Sequence, residues 1–231
     1  MIDLHCHLLP GVDDGSRSVT QSVRVLQAMA GRGVTAVCLT PHLEASRAAA
    51  GVPASHDAAF DALRAEAPAG VALHRGVELF LDRPLTPAVA ADRRLTLGGT
   101  RYLLVEFTRM VATPAATSAL AQITALGLVP VLAHPERYVS CTPANVRRWK
   151  EAGALMQVDA TTILRPSGRG NRARALLEAG LADILAADNH GDDRSIADRS
   201  KALAGQKGSL PADLLLGYNH AERPADELAE M

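Results

Sequence analysis

The stretch MIDLHCHLLPGVDDG (residues 1–15) is a short apolar run that carries two histidines and ends in a turn rich in proline, glycine and aspartate. His5 and His7 stand two residues apart, so on an extended strand both side chains point to one face while Cys6 points to the other. Cys6 is therefore interpreted as a core residue and not as a ligand. The opening predicts a first strand whose C-terminal end presents a pair of imidazoles.

Six further short runs rich in Val, Leu and Ile follow this first one. They are AVCLTPH from Ala36, VALHRGVELF from Val71, YLLVEF from Tyr102, VPVLAHP from Val129, LMQVDAT from Leu155 and ADILAADNH from Ala182. Segments with helical spacing of apolar residues separate the runs, and this alternation predicts right-handed βαβ units around a parallel sheet. The runs fit an α/β barrel one unit short of the (β/α)8 type, and an open doubly wound sheet is the competing architecture.

The ionisable residues of these runs stand mostly at the C-terminal ends of the predicted strands. Active sites of parallel barrels lie at that rim, so one topology gathers all of them around one axis. They are His5, His7, His42, Glu78, Glu106, His134, Asp188 and His190. Carboxylates crowded at one end of a barrel repel each other strongly unless cations lie between them. A set of imidazole and carboxylate ligands without thiolate is typical of sites for Mn, Fe or Zn. The pattern predicts a metal centre, whereas His56, His74 and His220 are interpreted as surface or satisfied histidines.

Composition excludes several classes of function. The 231 residues are predicted to form one domain over 1–231 with a core of Ala, Val and Leu, because 48% are hydrophobic and only 3% aromatic. A formal net charge of −1 gives no field to hold a polyanion, so no nucleic-acid partner is expected. Three cysteines and the lack of a leader-like N-terminus predict a cytoplasmic location, and no apolar run reaches the roughly 18 residues of a membrane span.

Six motifs together resemble the PHP (polymerase and histidinol phosphatase) superfamily, in particular its branch of bacterial metal-dependent tyrosine-protein phosphatases of capsule and exopolysaccharide gene clusters. The motifs are the opening stretch, TPH (40–42), GVELF (76–80), LVEF (104–107), AHPER (133–137) and DNH (188–190). The resemblance runs in order from residue 1 to about 195, and the stretch after about residue 200 matches weakly. It implies a distorted, TIM-like (β/α)7 barrel that holds three divalent metal ions at the C-terminal rim of its strands, with Mn expected and Fe or Zn as alternatives.

The resemblance also implies roles for individual residues. The first ion would be held by His5, His7, Glu78 and Asp188, the second by Glu78, Glu106 and His134, and the third by Asp14, His42 and His190. Asp13 would cap or orient the turn that brings Asp14 back to the site. Arg137 is a candidate phosphate clamp and Arg194 a second one, because a guanidinium fork matches phosphate oxygens; either could instead form an ordinary loop ion pair.

The implied function is metal-dependent hydrolysis of phosphotyrosine on a bacterial tyrosine kinase, which would regulate capsule or exopolysaccharide synthesis. The substrate would be the phosphotyrosine-bearing tail of a membrane-bound kinase. This chain would bind that tail without inserting into the membrane itself. The strand-end carboxylates and histidines are occupied as ligands, so no dedicated general acid is apparent, which favours a phenolate leaving group over an alkoxide. Two alternatives stay open: a small-molecule phosphatase such as histidinol-phosphatase, and a non-catalytic metal-binding regulatory subunit. The oligomeric state is also open.

Overall fold

A computed structural model describes residues 1–194, in which short strands alternate with helices. The strands are β1 (Ile2–Cys6), β2 (Ala36–Leu39), β3 (His42–Glu44), β4 (Ala72–Arg75), β5 (Glu78–Phe80), β6 (Tyr102–Glu106), β7 (Val129–Ala133), β8 (Leu155–Asp159) and β9 (Ile184–Ala186). The helices are α1 (Val19–Ala30), α2 (Ala45–Ala48), α3 (Ala54–Glu66), α4 (Pro87–Ala91), α5 (Thr113–Ala125), α6 (Pro143–Glu151) and α7 (Gly168–Glu178). The stretch after about residue 200 and His220 lie outside the described residues.

Every strand pair is parallel, in two sheets of order β1-β2-β4 and β3-β5-β6-β7-β8-β9. β3 follows β2 after a break at Pro41, and β5 follows β4 after a break at Gly76. The ladder continues across both breaks, since Gly76 N donates to Leu39 O and Glu78 N to Pro41 O, each at 3.0 Å. The strand segments of the described chain therefore occupy seven positions around the axis, as predicted from the sequence.

The first and last strands lie side by side. Cys6 forms a parallel bridge with Asn189, just after β9, and His7 N donates to Asn189 O at 2.7 Å. Asp188 N donates to His5 O at 3.1 Å, and the Asp3 carboxylate accepts from Ala187 N at the same distance. An open doubly wound sheet would not bring these strands together, so the TIM-like α/β arrangement is confirmed.

The apolar side chains divide into an inner and an outer layer. The smaller cluster contains almost only strand residues, among them Ile2, Leu104 and Val131, and fills the inside of the ring. The larger cluster joins the alternate strand positions, such as Val105, to the buried faces of the helices, such as Leu26 of α1. Glu106 stands two residues after Leu104 on β6, so the strand alternation points this carboxylate inward, above the inner apolar layer.

The cysteines belong to this packing. All three are free and buried, and Cys6 lies in the larger apolar cluster, which confirms its interpretation as a core residue. Burial raises the pKa of the Cys6 thiol well above its ordinary value, so Cys6 is not an activated nucleophile. Within residues 1–194, no helix has the length and apolar character needed to cross a bilayer.

Gly15 is required by a close approach of the turn after β1 to the strand itself. A Cβ atom added at Gly15 would lie 2.0 Å from His7 O and 2.5 Å from His7 Cβ. We expect Gly15→Ala to lower the free energy of unfolding by about 3 kcal/mol, measured by urea denaturation, because the turn must move away from β1. Gly31→Ala is the control, since Gly31 has φ −60° and its added Cβ meets nothing closer than 3.5 Å. Equal midpoints for Gly15→Ala and the unmodified chain would contradict the expected clash.

Candidate metal centre

The predicted ligand side chains converge at the C-terminal ends of the strands. In each of four groups, every residue offers one ligand atom within 4.8 Å of the others. The groups are His5, His7 and Asp188; His5, Glu78 and His134; His42, Glu78 and Glu106; and His7, Asp14, His42 and His190. All nine side chains named as candidate ligands from the sequence therefore meet in one place.

The deepest part of the centre consists of two imidazoles and two carboxylates that are fully buried. His5 Nε2 and His7 Nε2 face each other at 3.1 Å, and each lies 3.2 Å from Glu78 Oε2 and 3.4 Å from Asp188 Oδ1. Four ligand atoms thus point at one small space. This is the set that the sequence resemblance implies for the first ion.

The mouth of the centre is more open. Asp14, whose side chain is 71% exposed, places Oδ1 3.5 Å from both His42 Nε2 and His190 Nε2. His7 joins them, because its ring stacks on His190 with centroids 4.1 Å apart. The set implied for the third ion is therefore assembled, with His7 close enough to be shared.

The second implied set is assembled less evenly. His134 Nε2 lies 2.8 Å from Glu78 Oε1 but 3.8 Å from Glu106 Oε2. Glu106 is nearer to His42, whose Nδ1 lies 3.2 Å from Glu106 Oε1 and 3.1 Å from Glu78 Oε2. Glu78 touches both neighbouring groups, which fits the bridging position implied for it.

The electrostatics of the centre fit divalent cations. Glu78 Oε2 and Asp188 Oδ1 are buried without a hydrogen-bond donor, a costly arrangement for carboxylate oxygens unless a cation neutralises them. Burial alone would raise the pKa of Glu78, but the positive charges of His5 and His134 and the hydrogen bond from His134 Nε2 hold it well below its ordinary value. Oxygen and imidazole ligands of this kind suit Mn, Fe or Zn.

The neighbouring carboxylates raise the pKa of two of the histidines in the centre. Burial opposes the charged form of His42, yet hydrogen bonds to Glu106 and Glu78 raise its pKa to about 10. His7 likewise has a pKa well above its ordinary value, because bonds to Asp13, Asp188 and Glu78 outweigh its burial. A metal ion must displace these protons from the imidazoles, so metal affinity should rise with pH up to about 10, the pKa of His42.

Two candidate ligands lie on strained backbone. His134 has φ 33° and Asp188 has φ 48°, the non-glycine residues with positive φ in the described part of the chain. Such conformations cost about 1 to 3 kcal/mol each and concentrate at functional sites. Both follow the end of a strand, β7 or β9, and the left-handed turn aims the side chain at the centre.

Two polar residues outside the ligand set orient the imidazoles. His5 Nδ1–H donates to Gln157 Oε1 at 2.8 Å, and His7 Nδ1–H donates to Asp13 Oδ2 at the same distance. Each bond leaves the Nε2 lone pair directed into the centre. Asp13 also accepts from Gly15 N at 3.0 Å and His42 N at 3.2 Å, which confirms its predicted role in the turn. Gln157 was not identified from the sequence, although a lone amide in the apolar run of β8 was a usable signal.

The two candidate arginines reach one carboxylate. Arg137, in the turn after β7, forms an ion pair with Asp188 Oδ2, while Arg194 Nη1 lies 3.8 Å from the same oxygen. Arg194 also pairs with Asp192 at 2.8 Å, the ordinary loop ion pair weighed as its alternative. Arg137 thus borders the centre directly, and Arg194 divides its contacts.

A recess of about 500 Å³ adjoins the mouth of the centre. Asp14, His42 and Glu106 form its inner side. Its walls carry apolar side chains such as Leu43 and Phe80, together with polar and charged ones such as Glu44 and Arg47. His56 of α3 also lines it and is buried, so its interpretation as a surface histidine is wrong. Its Nδ1 has no hydrogen-bond partner within residues 1–194, so it is not a satisfied histidine there either. His74 is exposed, as expected.

Comparison with known proteins places this geometry in context. A family profile described as capsular polysaccharide synthesis, CpsB/CapC, matches residues 1–208. The tyrosine-protein phosphatase YwqE of Bacillus subtilis is 28% identical over 196 residues, covering 82% of this chain and 77% of the relative. The tyrosine-protein phosphatase CpsB of Streptococcus pneumoniae is 26% identical over 201 residues, covering 82% of this chain and 83% of the relative.

Solved structures agree with the sequence matches. One from a crystallographic study of YwqE from Bacillus subtilis and CpsB from Streptococcus pneumoniae, described there as unique metal-dependent tyrosine phosphatases, superimposes with TM-score 0.76 and 26% identity, covering 90% of this chain and 88% of the other. A variant organophosphorus hydrolase from Deinococcus radiodurans gives TM-score 0.50 at 14% identity over 93% of this chain and 80% of its own, a likeness of fold alone.

The hydrogen bond from His5 to Gln157 can be tested through metal affinity. We expect Gln157→Leu to weaken Mn²⁺ binding roughly 10- to 100-fold, measured by isothermal titration calorimetry, because the ring of His5 loses its orienting acceptor. Gln27→Leu, on the exposed face of α1, is the control and should bind Mn²⁺ like the unmodified chain. A Gln157→Leu chain that loses thermal stability while keeping its Mn²⁺ affinity would show that Gln157 serves packing alone.

Proposed function

This chain belongs to the capsular polysaccharide synthesis CpsB/CapC family, and we propose that it is a metal-dependent protein-tyrosine phosphatase that acts in capsule or exopolysaccharide synthesis. The observation that carries the proposal is the convergence of nine ligand-type side chains beside a recess whose walls include apolar side chains. The similarity to tyrosine phosphatases of two other bacteria, over most of both chains, supports the same activity.

Three divalent ions, with Mn as the expected metal, form the proposed cofactor. His5, His7, Glu78 and Asp188 would hold the first, Glu78, Glu106 and His134 the second, and Asp14, His42 and His190 the third. When bound, the ions supply an activated water as nucleophile and neutralise charge on the phosphoryl group. The carboxylates of the set carry four negative charges against six from the ions, which leaves a positive surplus for an anionic substrate.

Arg137 is the proposed phosphate clamp. Its guanidinium already reaches the edge of the centre through Asp188, and it stays protonated at any relevant pH. An incoming phosphate would offer the same fork two further oxygens. Arg194 is a weaker candidate for a phosphate clamp, because its guanidinium already forms an ion pair with Asp192 at 2.8 Å.

The recess supports an aryl ester as substrate. Its inner side meets the candidate ligands, and the apolar side chains of Leu43 and Phe80 would flank a phenyl ring whose phosphate points inward. On its inner side, Asp14, His42 and Glu106 belong to the candidate ligand set, so none of these three is free to act as a general acid. A phenolate with a pKa near 10 departs without one far more readily than a serine alkoxide.

The physiological partner we propose is the phosphotyrosine-bearing tail of a membrane-bound tyrosine kinase, reached from the cytoplasm. The names of the relatives and the capsule family support this setting. The three buried, free cysteines fit a reducing compartment.

Glu78 provides the sharpest test of the metal centre. Glu78→Gln should lower bound Mn per chain and reduce hydrolysis of p-nitrophenyl phosphate by more than about 100-fold, because one charge shared by two ligand groups is lost. Metal content is measured by mass spectrometry. Activity is measured after the metal has been removed with a chelator and Mn²⁺ has been added back. Glu66→Gln, exposed at the end of α3, is the control. Full activity of the unmodified chain in chelator, without bound metal, would refute the metal hypothesis.

Substrate choice distinguishes the proposal from its rivals. With Mn²⁺ saturating, kcat/KM should be at least about tenfold higher for a phosphotyrosine peptide than for a phosphoserine peptide of the same sequence or for histidinol phosphate, because only the first releases a phenolate. A preference of that size for histidinol phosphate would make the chain a small-molecule phosphatase. Activity on none of the three, with metal bound, would favour the regulatory-subunit alternative.

A further inference from the structure

Three consecutive loops at the rim of the strands carry arginines, and three of these arginines lack carboxylate partners. Arg109 lies after β6, and Arg165 and Arg169 lie between β8 and the first turn of α7. None of the three forms an ion pair with another residue of the described 1–194 range. Arg172 of α7 donates only to a backbone oxygen, Glu136 O, at 2.8 Å.

These loops are packed together beside the metal centre. Val139 N, after β7, donates to Arg109 O at 2.9 Å, and the bond from Arg172 to Glu136 O joins α7 to the turn that holds Arg137. The charges are close enough to act on one another: burial and then the positive charges of Arg109, Arg137 and Arg172 lower the pKa of Arg169. Through its contact with Asp188, Arg137 makes the cluster continuous with the candidate centre.

The buried carboxyl groups beside this cluster have other hydrogen-bond partners. Glu136 Oε1 accepts from Asp159 N at 3.0 Å. The Asp159 carboxylate accepts from the backbone N–H and hydroxyl groups of Thr161 and Thr162. With a net charge of −1 over the whole chain, such a concentration of positive charge is local and specific to this rim.

The same three loops expose apolar side chains. Met110, Val139 and Leu164 are 75%, 65% and 45% exposed, and they are the exposed large hydrophobic residues of the described part of the chain. Each stands next to, or two residues from, one of the arginines Arg109, Arg137 and Arg165. The surface thus alternates positive and apolar groups, which is unusual for a solvated rim.

We propose that this surface, the arginine rim (Arg109, Arg137, Arg165, Arg169 and Arg172 with Met110, Val139 and Leu164), binds acidic and aromatic residues that flank the phosphotyrosine of the substrate. The inference rests on the proposed function and adds a specificity determinant to it. Guanidinium groups pair with carboxylates of the peptide, and the apolar tips contact its aromatic side chains. Because the rim meets the centre at Arg137, one extended segment can contact both at once.

The rim acts mainly on binding and on encounter. Arg109 and Arg165 are exposed, and Arg137, Arg169 and Arg172 are half-buried. Their attraction for a peptide is therefore screened by salt and changes KM more than kcat. The small ester p-nitrophenyl phosphate has no flanking residues, so Arg137 is the one rim residue that it meets. The effect of salt and the choice of substrate therefore distinguish a role of the rim in peptide binding from a role in the chemical step.

The experiment compares two phosphotyrosine peptides of equal length with the Mn-loaded full chain. One peptide carries glutamates and a second tyrosine beside the phosphotyrosine, and the other carries glutamines and serines. We expect a higher kcat/KM for the acidic peptide at low ionic strength, and little difference at about 1 M salt, where the Debye length is roughly 3 Å. Arg109→Ala/Arg169→Ala should lower kcat/KM for the acidic peptide about fivefold, chiefly through KM, and leave p-nitrophenyl phosphate hydrolysis unchanged.

The matched control, Arg32→Ala/Arg147→Ala, removes two exposed arginines outside the rim and should change neither substrate. Anisotropy of a fluorescein-labelled, unphosphorylated acidic peptide measures docking without hydrolysis. One outcome is that the labelled peptide binds, that binding is lost in Arg109→Ala/Arg169→Ala, and that the chain hydrolyses neither phosphopeptide. This result would support the arginine rim and refute the proposed function. Equal kcat/KM and equal binding for acidic and neutral peptides would overturn the rim. Sedimentation with phosphatidylglycerol vesicles, without preference for the acidic peptide, would also overturn it and assign the surface to a membrane.

Discussion

The fully buried carboxylate of Glu78 is the group on which the centre depends. Its two oxygens lie within 3.2 Å of imidazole nitrogens on four different histidines, which come from β1, β3 and the end of β7. A carboxylate removed from water is tolerated only where positive charge replaces its hydration. The surrounding histidines, and the ions that they are suited to bind, supply that charge. The fold brings these groups together because parallel strands present their C-terminal ends at one rim.

Much of this arrangement was predictable from the sequence. The apolar runs marked the strands, and His or acidic residues at their ends marked the rim, because parallel topology turns position along a strand into position around an axis. Cys6 could be assigned to the core from strand alternation alone. The breaks at Pro41 and Gly76 were not predicted. Pro41 has no N–H for the ladder, and Gly76 passes close to Cys38 and Leu97, a contact that only the assembled ring creates.

Other features depended on contacts between distant segments. Gln157 meets His5 across 152 positions of sequence, and no local pattern encodes that pairing. His56 lies on a helix with ordinary amphipathic spacing, yet α3 turns it into the recess beside the mouth. The pairing of Glu106 with His42 in preference to His134 is a matter of less than 1 Å, which motif order along the chain does not resolve. The order of the motifs along the chain thus predicted which residues meet at the centre better than it predicted the distances between them.

The closure of the ring between β1 and the segment after β9 also governs when the centre can exist during synthesis. His5 and His7 leave the ribosome before Asp188 and His190, which emerge only after all the strands between them. Until then Cys6 and His7 lack the backbone partners that Asn189 provides. A nascent or truncated chain that lacks Asp188 and His190 therefore has an incomplete set of candidate ligands. Its histidine side chains are not held in their final positions. Metal capture becomes a late event that follows closure of the ring.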